Sequence, residues 1–299
     1  MENKTEVTQF FLQGLANDPG LQLPLFIIFL LIYTITLVGN LGMILLIVLD
    51  AHLHSPMYIF LGNLSLVDFC YSSGVTPKVM AGFLVGDKVM SYNDCAAQMF
   101  FVTGFATVEN YLLASMAYDR YAAVCKPLHY ASTMTTGMCI WMIAGCYACG
   151  FLNACIYTGD AFSLSFCKAD VVHHFFCDIP AVMVLSCSNK HINELVLVCV
   201  ASFNIFFLLS SSYPTFLSQL RCTQLQDIKR PCPPVLLISL LFLFSMGQFS
   251  CTCSLVPVML WTLTKLCLCS IPWSPCTLWC TAGTRKSRVH SEKLFSGQN

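Results

Sequence analysis

Apolar positions along the chain come in long runs rather than in the alternating or one-faced patterns of a water-soluble fold. Residues 23–49 are almost unbroken apolar sequence and end at Asp50, His52 and His54. Such a run predicts one helix crossing a hydrocarbon layer about 30 Å thick. Further runs predict a second span over about 56–80, a third over 96–118, a fourth over 138–157 and a fifth over 194–209 or beyond. The stretch 160–190 is polar, contains His173, His174 and several cysteines, and is too long for a tight turn. It predicts a large loop stapled by disulfides. Beyond the fifth run, 235–264 has the length and apolarity of a sixth span, and 266–282, interrupted by Pro272 and Pro275, of a weaker seventh.

Composition supports an all-α membrane protein. Of 299 residues, 57% are apolar and 10% charged, whereas a soluble domain carries about 25% charged residues. A wetted surface needs more charge than this chain has. The formal net charge is zero, so no basic stripe exists that would neutralise a run of phosphates, and nucleic acid is set aside as a partner. The first twenty residues hold Glu2, Lys4, Glu6 and Asp18 without a compact apolar core. They do not read as a cleaved signal peptide, and the first span serves as the insertion signal. Asn3-Lys4-Thr5 is a glycosylation acceptor that is modified only on the lumenal or extracellular side, which makes Asn3 a candidate site.

Orientation does not follow from Lys and Arg counts. With the amino terminus outside, the inner loops up to residue 200 hold only Arg120 and Lys126, while the outer segments hold Lys4, Lys78, Lys88, Lys168 and Lys190. Cysteine placement argues instead, because disulfides persist on the outer side. Cys95 stands at the outer end of the third span, and Cys167, Cys177 and Cys187 are spaced ten apart in the long loop. Four cysteines allow three pairings. Any pairing that ties the loop to the third helix makes a cover over the space between helices, worth about 2–4 kcal/mol per bridge. Most of the other fifteen cysteines read as small apolar residues in helices.

Two carboxylates fall inside predicted spans, Asp68 and Glu109. Charge in a membrane helix is costly and turns inward, so both belong inside the bundle, either satisfied locally by Asn40, Ser65 or Asn110 or sharing a cation or proton. At the inner end of the third span stands Met116-Ala117-Tyr118-Asp119-Arg120-Tyr121, followed by Ala122-Ala123-Val124-Cys125-Lys126-Pro127-Leu128.

That string resembles the odorant receptors, a branch of the rhodopsin-like G-protein-coupled receptors. The resemblance spans most of the first 207 residues. Gly39-Asn40 matches the family's first-span pair, and Leu53-His54-Ser55-Pro56-Met57-Tyr58 with Leu64-Ser65-Leu66-Val67-Asp68 matches the second span and its approach. Lys126-Pro127-Leu128-His129-Tyr130 matches the second inner loop, and the loop cysteines match in number and spacing. The resemblance implies a seven-span helix bundle in the plasma membrane with the amino terminus outside. It is divided into an outer segment 1–22, spans one to five over 23–209, and a divergent region 210–299. It implies bridges Cys95–Cys177 and Cys167–Cys187, and a switch of Asp119, Arg120 and Tyr121 in which Arg120 is held at rest and freed to meet a stimulatory G protein. It also implies a sodium-type site at Asp68 and Glu109. The implied odorant pocket is formed by Val102, Thr103, Ala106 and Thr107 of the third span, Ile179 of the loop, and Cys199, Val200 and Phe203 of the fifth span. Such a pocket is small and mostly apolar, with Thr103 and Thr107 as hydrogen-bonding groups, and suits a small hydrophobic volatile ligand. No enzymatic activity and no other cofactor or metal is expected.

After about Phe207 the pattern stops. The family's sixth span opens on a Lys-Ala-x-Ser-Thr-Cys type segment and its seventh closes on Pro-x-Leu-Asn-Pro-x-x-Tyr, and neither is present. Between residues 205 and 298 there is no Asn, and the only Tyr is Tyr213. Trp261, Trp273 and Trp279, with eight of the nineteen cysteines, crowd into this tail. Translation in a shifted reading frame produces such a break, and reading the DNA around codons 205–212 in the other two frames tests it. The expectation fails if neither frame restores the two motifs. Pro231, Pro233 and Pro234 break a helical approach to the sixth span. The alternative expectation is thus a receptor-like product that does not signal and is retained in the endoplasmic reticulum. A transporter or channel ranks third, because no internal repeat is found.

Overall fold

The computed structural model describes residues 8–13, 19–166, 171–172, 174–187 and 191–225. Asn3, Cys167 and the predicted sixth and seventh spans lie outside them. Five long helices follow the five predicted spans: α1 (Pro19–Leu49), α2 (Pro56–Leu84), α3 (Tyr92–Cys125), α5 (Thr136–Phe162) and α7 (His191–Leu225). Two short helices lie between them, α4 (Pro127–Thr133) in the second inner loop and α6 (Ile179–Val184) in the long outer loop. The helices outrun the apolar runs because their ends are capped. Ser91 Oγ accepts from the Asp94 N–H at 3.1 Å and starts α3 four residues before its apolar run. Thr135 does the same for α5 through the Met138 N–H at 3.3 Å, and Pro56 begins α2 where a missing N–H costs nothing.

α3 is the central helix, packed against α2, α5 and α7, while α1 packs on α2 alone among the long helices. Gly20–Leu49 and Thr136–Phe162 are long and apolar enough to cross a membrane, and His191–Phe207 is a shorter apolar helix. α2 and α3 have the length but hold polar groups, and these are turned inward: Asp68, Ser72, Thr76, Gln98, Thr107, Glu109 and Asn110 are all buried. Burial of polar side chains at the centre and exposure of Leu, Ile and Val on α1 is the arrangement a lipid surround selects. A tight seam joins α3 to α5, where Gly150 brings its backbone against Val108 and the Gly104 carbonyl.

The structure corrects the all-α expectation at one place. Three short strands, β1 (Gln9–Leu12), β2 (Val89–Ser91) and β3 (Val171–Val172), form a sheet in the order β2-β1-β3, with β1 antiparallel to β2 and parallel to β3. The amino-terminal segment is therefore the central strand of the outer end. Its pattern is alternating, with Phe10 and Leu12 buried and Gln9 and Phe11 exposed. Gly86, at φ +69°, turns the chain from α2 into β2, a conformation glycine adopts without a Cβ clash. Lys78 on α2 clamps that turn, donating to Asp87 Oδ2 and to the Val89 carbonyl, both at 2.7 Å.

The Lys78 hydrogen bond and charge hold the Asp87 carboxyl below its ordinary range. A carboxylate with a depressed folded-state pKa stabilises the fold above its unfolded pKa of about 3.9 and loses that contribution as pH falls through the folded value. Acidification below about pH 4 is therefore expected to release the β2 turn. Hydrogen exchange at the Leu12 N–H, which donates to the Lys88 carbonyl at 2.8 Å, reads it. Protection unchanged by Asp87→Asn at neutral pH would contradict the clamp.

Candidate functional site

The outer end of α3 is joined to the long loop by a disulfide between Cys95 and Cys177. Both residues are buried in a cluster with Phe10, Met90, Met99, Ala161, Leu164 and Met183. Cys187 is also disulfide-bonded. Its backbone N–H donates to the Ser165 carbonyl at 3.1 Å, and its expected partner Cys167 lies outside the described residues. Cys70, Cys125, Cys139, Cys146, Cys149, Cys155 and Cys199 are free thiols, as their places in helices suggested.

Beneath this bridge, Val102, Thr103, Ala106 and Thr107 run down one stripe of α3. Val102 and Thr107 are buried, Thr103 and Ala106 half-buried. The Thr107 hydroxyl donates to the Thr103 carbonyl at 2.8 Å, so toward a ligand it offers lone pairs rather than a proton. Ile179, at the start of α6, is half-buried and packs on the disulfide cluster, its N–H capped by Asp178 Oδ1 at 3.0 Å. On α7 the three candidates divide. Val200 is half-buried, whereas Cys199 and Phe203 are exposed, Phe203 by 67%, and the described helices do not enclose them.

Asp68 on α2 and Glu109 on α3 are both buried between packed helices. Asn40 and Asn110 each spend an amide proton within their own helix, on the Thr36 carbonyl at 3.0 Å and the Ala106 carbonyl at 2.8 Å. Their oxygens are left as acceptors, which a cation would accept and a second carboxylate would not.

At the inner end, Asp119 is buried and Arg120 Nε stands 3.8 Å from its Oδ2, within ion-pair reach but beyond hydrogen-bond length. A second group holds Asp119: the Tyr130 hydroxyl on α4 donates to Oδ1 at 2.9 Å. Burial first, and then the adjacent carboxylate, push the Tyr130 phenol above its ordinary range, so it stays a proton donor. Tyr130 was visible in the sequence as part of a motif, but its role was not. Tyr121 is half-buried one turn from Tyr118 and receives the Lys126 ammonium over its ring at 5.7 Å. Tyr130→Phe removes one charge-assisted hydrogen bond and is expected to lower thermal stability by about 1 kcal/mol. A melting curve indistinguishable from the parent's would show that Asp119 does not depend on it.

Sequence reasoning also missed a polar clasp across three helices. Tyr111 on α3 donates from its hydroxyl to Asn204 Oδ1 on α7. The Asn153 amide on α5 donates to the same oxygen at 3.2 Å, and the Asn204 amide donates back to Asn153 Oδ1 at 3.1 Å and to the Val200 carbonyl at 2.7 Å. An isolated Asn within an apolar run was the available signal, because amides in a membrane seek partners on neighbouring helices.

A bundle of apolar-surfaced helices with buried carboxylates, a disulfide-tied outer loop and an Asp-Arg-Tyr at the inner end of its central helix has the build of a membrane receptor. The family model described as olfactory receptor matches residues 29–227. The chain is 74% identical over 209 residues to human olfactory receptor 5B3, covering 70% of this chain and 67% of that one. It is 66% identical over 217 residues to human olfactory receptor 5B2, covering 73% and 70%, and 61% identical over 209 residues to mouse olfactory receptor 5B21, covering 70% and 66%. The chain belongs to the olfactory receptor family. The family match carries on to residue 227, past the point near 207 where the quoted motifs end.

Proposed function

We propose that this chain is an odorant receptor of the plasma membrane that takes a small hydrophobic volatile ligand beneath its disulfide-tied outer loop. Asp119, Arg120 and Tyr121 then couple it to a stimulatory G protein on the inner side. The observation that supports this best is the build of α3. One continuous helix holds the bridge to the loop at Cys95, the apolar stripe with its two threonines, and the Asp-Arg-Tyr switch. A ligand pressing on the stripe therefore acts on the same rigid body that presents the switch, and α4 with Tyr130 sits beside it to register a change. Asp68 and Glu109 would hold a sodium ion in the bundle core, since carboxylates and amide oxygens are the donors hard cations take.

A second reading is favoured by one observation: the family match ends at residue 227, and the motifs of the sixth and seventh spans are missing beyond it. Activation by a bistable bundle needs moving elements on both sides. On this reading the chain folds its outer half but does not signal and stays in the endoplasmic reticulum. Cyclic AMP after exposure of expressing cells to an odorant panel, together with surface labelling of the amino terminus, separates the two. A response establishes the receptor. Surface label without a response, or no label at all, removes coupling and leaves the second reading.

A further inference from the structure

We infer that the amino-terminal strand is part of the ligand site proposed above, with Phe10 as a positioning residue that holds the roof segment 177–179 over α3. The inference rests on the reading of that site as a ligand pocket. The roof itself is visible without it.

Phe10 is fully buried although it lies only ten residues into the chain, and its ring fills the centre of the cluster that contains the Cys95–Cys177 bridge. It stacks on Tyr92 at 6.0 Å between ring centroids and meets Phe166 edge-on at 5.6 Å. Met183 and Val182 of α6 belong to the same cluster, and Ile179 packs against it. The backbone of the strand is fastened on both sides. Tyr92 N–H donates to the Thr8 carbonyl at 3.0 Å, Leu12 N–H to the Lys88 carbonyl at 2.8 Å, and Gln13 N–H to the Val172 carbonyl at 2.9 Å. From below, the buried Gln98 side chain donates to the Gly74 carbonyl at 2.9 Å and accepts the Cys177 N–H at 3.1 Å, tying α2, α3 and the roof together.

The segment 177–179 is thus held by three attachments of different kinds: the disulfide to α3, the Gln98 amide, and the packing of α6 and Ile179 on the Phe10 cluster. The first two fix the position of Cys177. Only the third reaches α6 and the side chain of Ile179, because apolar packing is what orients a residue two positions beyond a fixed point. Removing the Phe10 ring leaves Cys177 tethered and frees the part of the roof that faces the α3 stripe.

The test uses the full chain in intact cells and needs no ligand. Ile179→Cys is labelled with a charged, membrane-impermeant thiosulfonate and quantified by peptide mapping, with Val79→Cys, buried in a separate cluster at the outer half of α2, as reference. Phe10→Ala is expected to speed labelling of Ile179→Cys by about tenfold, as a local opening does, while Val79→Cys stays slow. Phe10→Leu, which nearly preserves the apolar volume, is expected to restore slow labelling. No acceleration at Ile179→Cys overturns the inference, as does equal acceleration at both cysteines or failure of Phe10→Leu to restore the parent rate. A parallel arm adds medium-chain aliphatic alcohols and aldehydes to the unaltered roof. Protection of Ile179→Cys there bears on the ligand reading alone, so loss of that reading and loss of the roof are told apart.

Discussion

Replacing Cys95 with serine is expected to be the most damaging single change in the described fold, costing about 2–5 kcal/mol. The bridge closes a segment with a sequence separation of 82, and in the chain-entropy view long closures restrict the unfolded ensemble most. Here the loss is compounded, because both sulfurs are buried in the cluster that seats β1, α6 and the outer ends of α3 and α5. Thermal unfolding of detergent-solubilised protein and surface immunostaining should fall together. Cys199→Ser supplies the contrast, since that thiol is free and exposed and its loss is expected to stay within about 0.5 kcal/mol. Equal effects of the two substitutions would show that the bridge is dispensable.

The second large effect is expected at Gly150. A Cβ built there would overlap Val108 Cγ2 and come to 3.0 Å from the Val108 nitrogen and 3.2 Å from the Gly104 carbonyl oxygen. Two of these neighbours are backbone, and the third belongs to a β-branched side chain held in essentially one rotamer on a helix. The strain has no soft side chain to absorb it, so Gly150→Ala is expected to cost about 1–3 kcal/mol by forcing α3 and α5 apart. Gly145 and Gly159 lie on the same helix with nothing within 4 Å of a built Cβ. Alanine there is expected to be neutral or to add up to about 1 kcal/mol, because it only removes glycine's backbone entropy. If all three variants melt alike, the seam is looser than its geometry implies.

Much of the bundle was legible because a bilayer leaves a strong trace in sequence. Every predicted span up to residue 209 has its helix, and the inward placement of Asp68 and Glu109 followed from the cost of charge in hydrocarbon. Cys95 and Cys177 paired as the family resemblance implied. What escaped was structure made by distant partners. Four residues, Gln9–Leu12, carry too little alternation to declare a strand, and β1 pairs with segments far along the chain. The same holds for Asn153 and Asn204, which are unremarkable in their own helices and are explained only by each other. Of the expected pocket, the α3 stripe and Ile179 come together under the roof, because helical periodicity and one disulfide suffice to place them. Cys199 and Phe203 do not join them, since which face of α7 turns inward depends on neighbours beyond the five described spans.

The sheet has a consequence for the order in which the protein is built. Phe11 pairs with Val89 on one side and with Val171 on the other, so the first ordered segment to leave the ribosome is seated only after some 160 further residues have followed. At about 5–20 residues per second this leaves it without its second neighbour for roughly ten to thirty seconds. Its exposed hydrophobic side chains are then open to lumenal chaperones. Yet every strand of the roof, and both cysteines of its bridge, precede residue 210. The outer end can therefore close on itself before the divergent tail is translated.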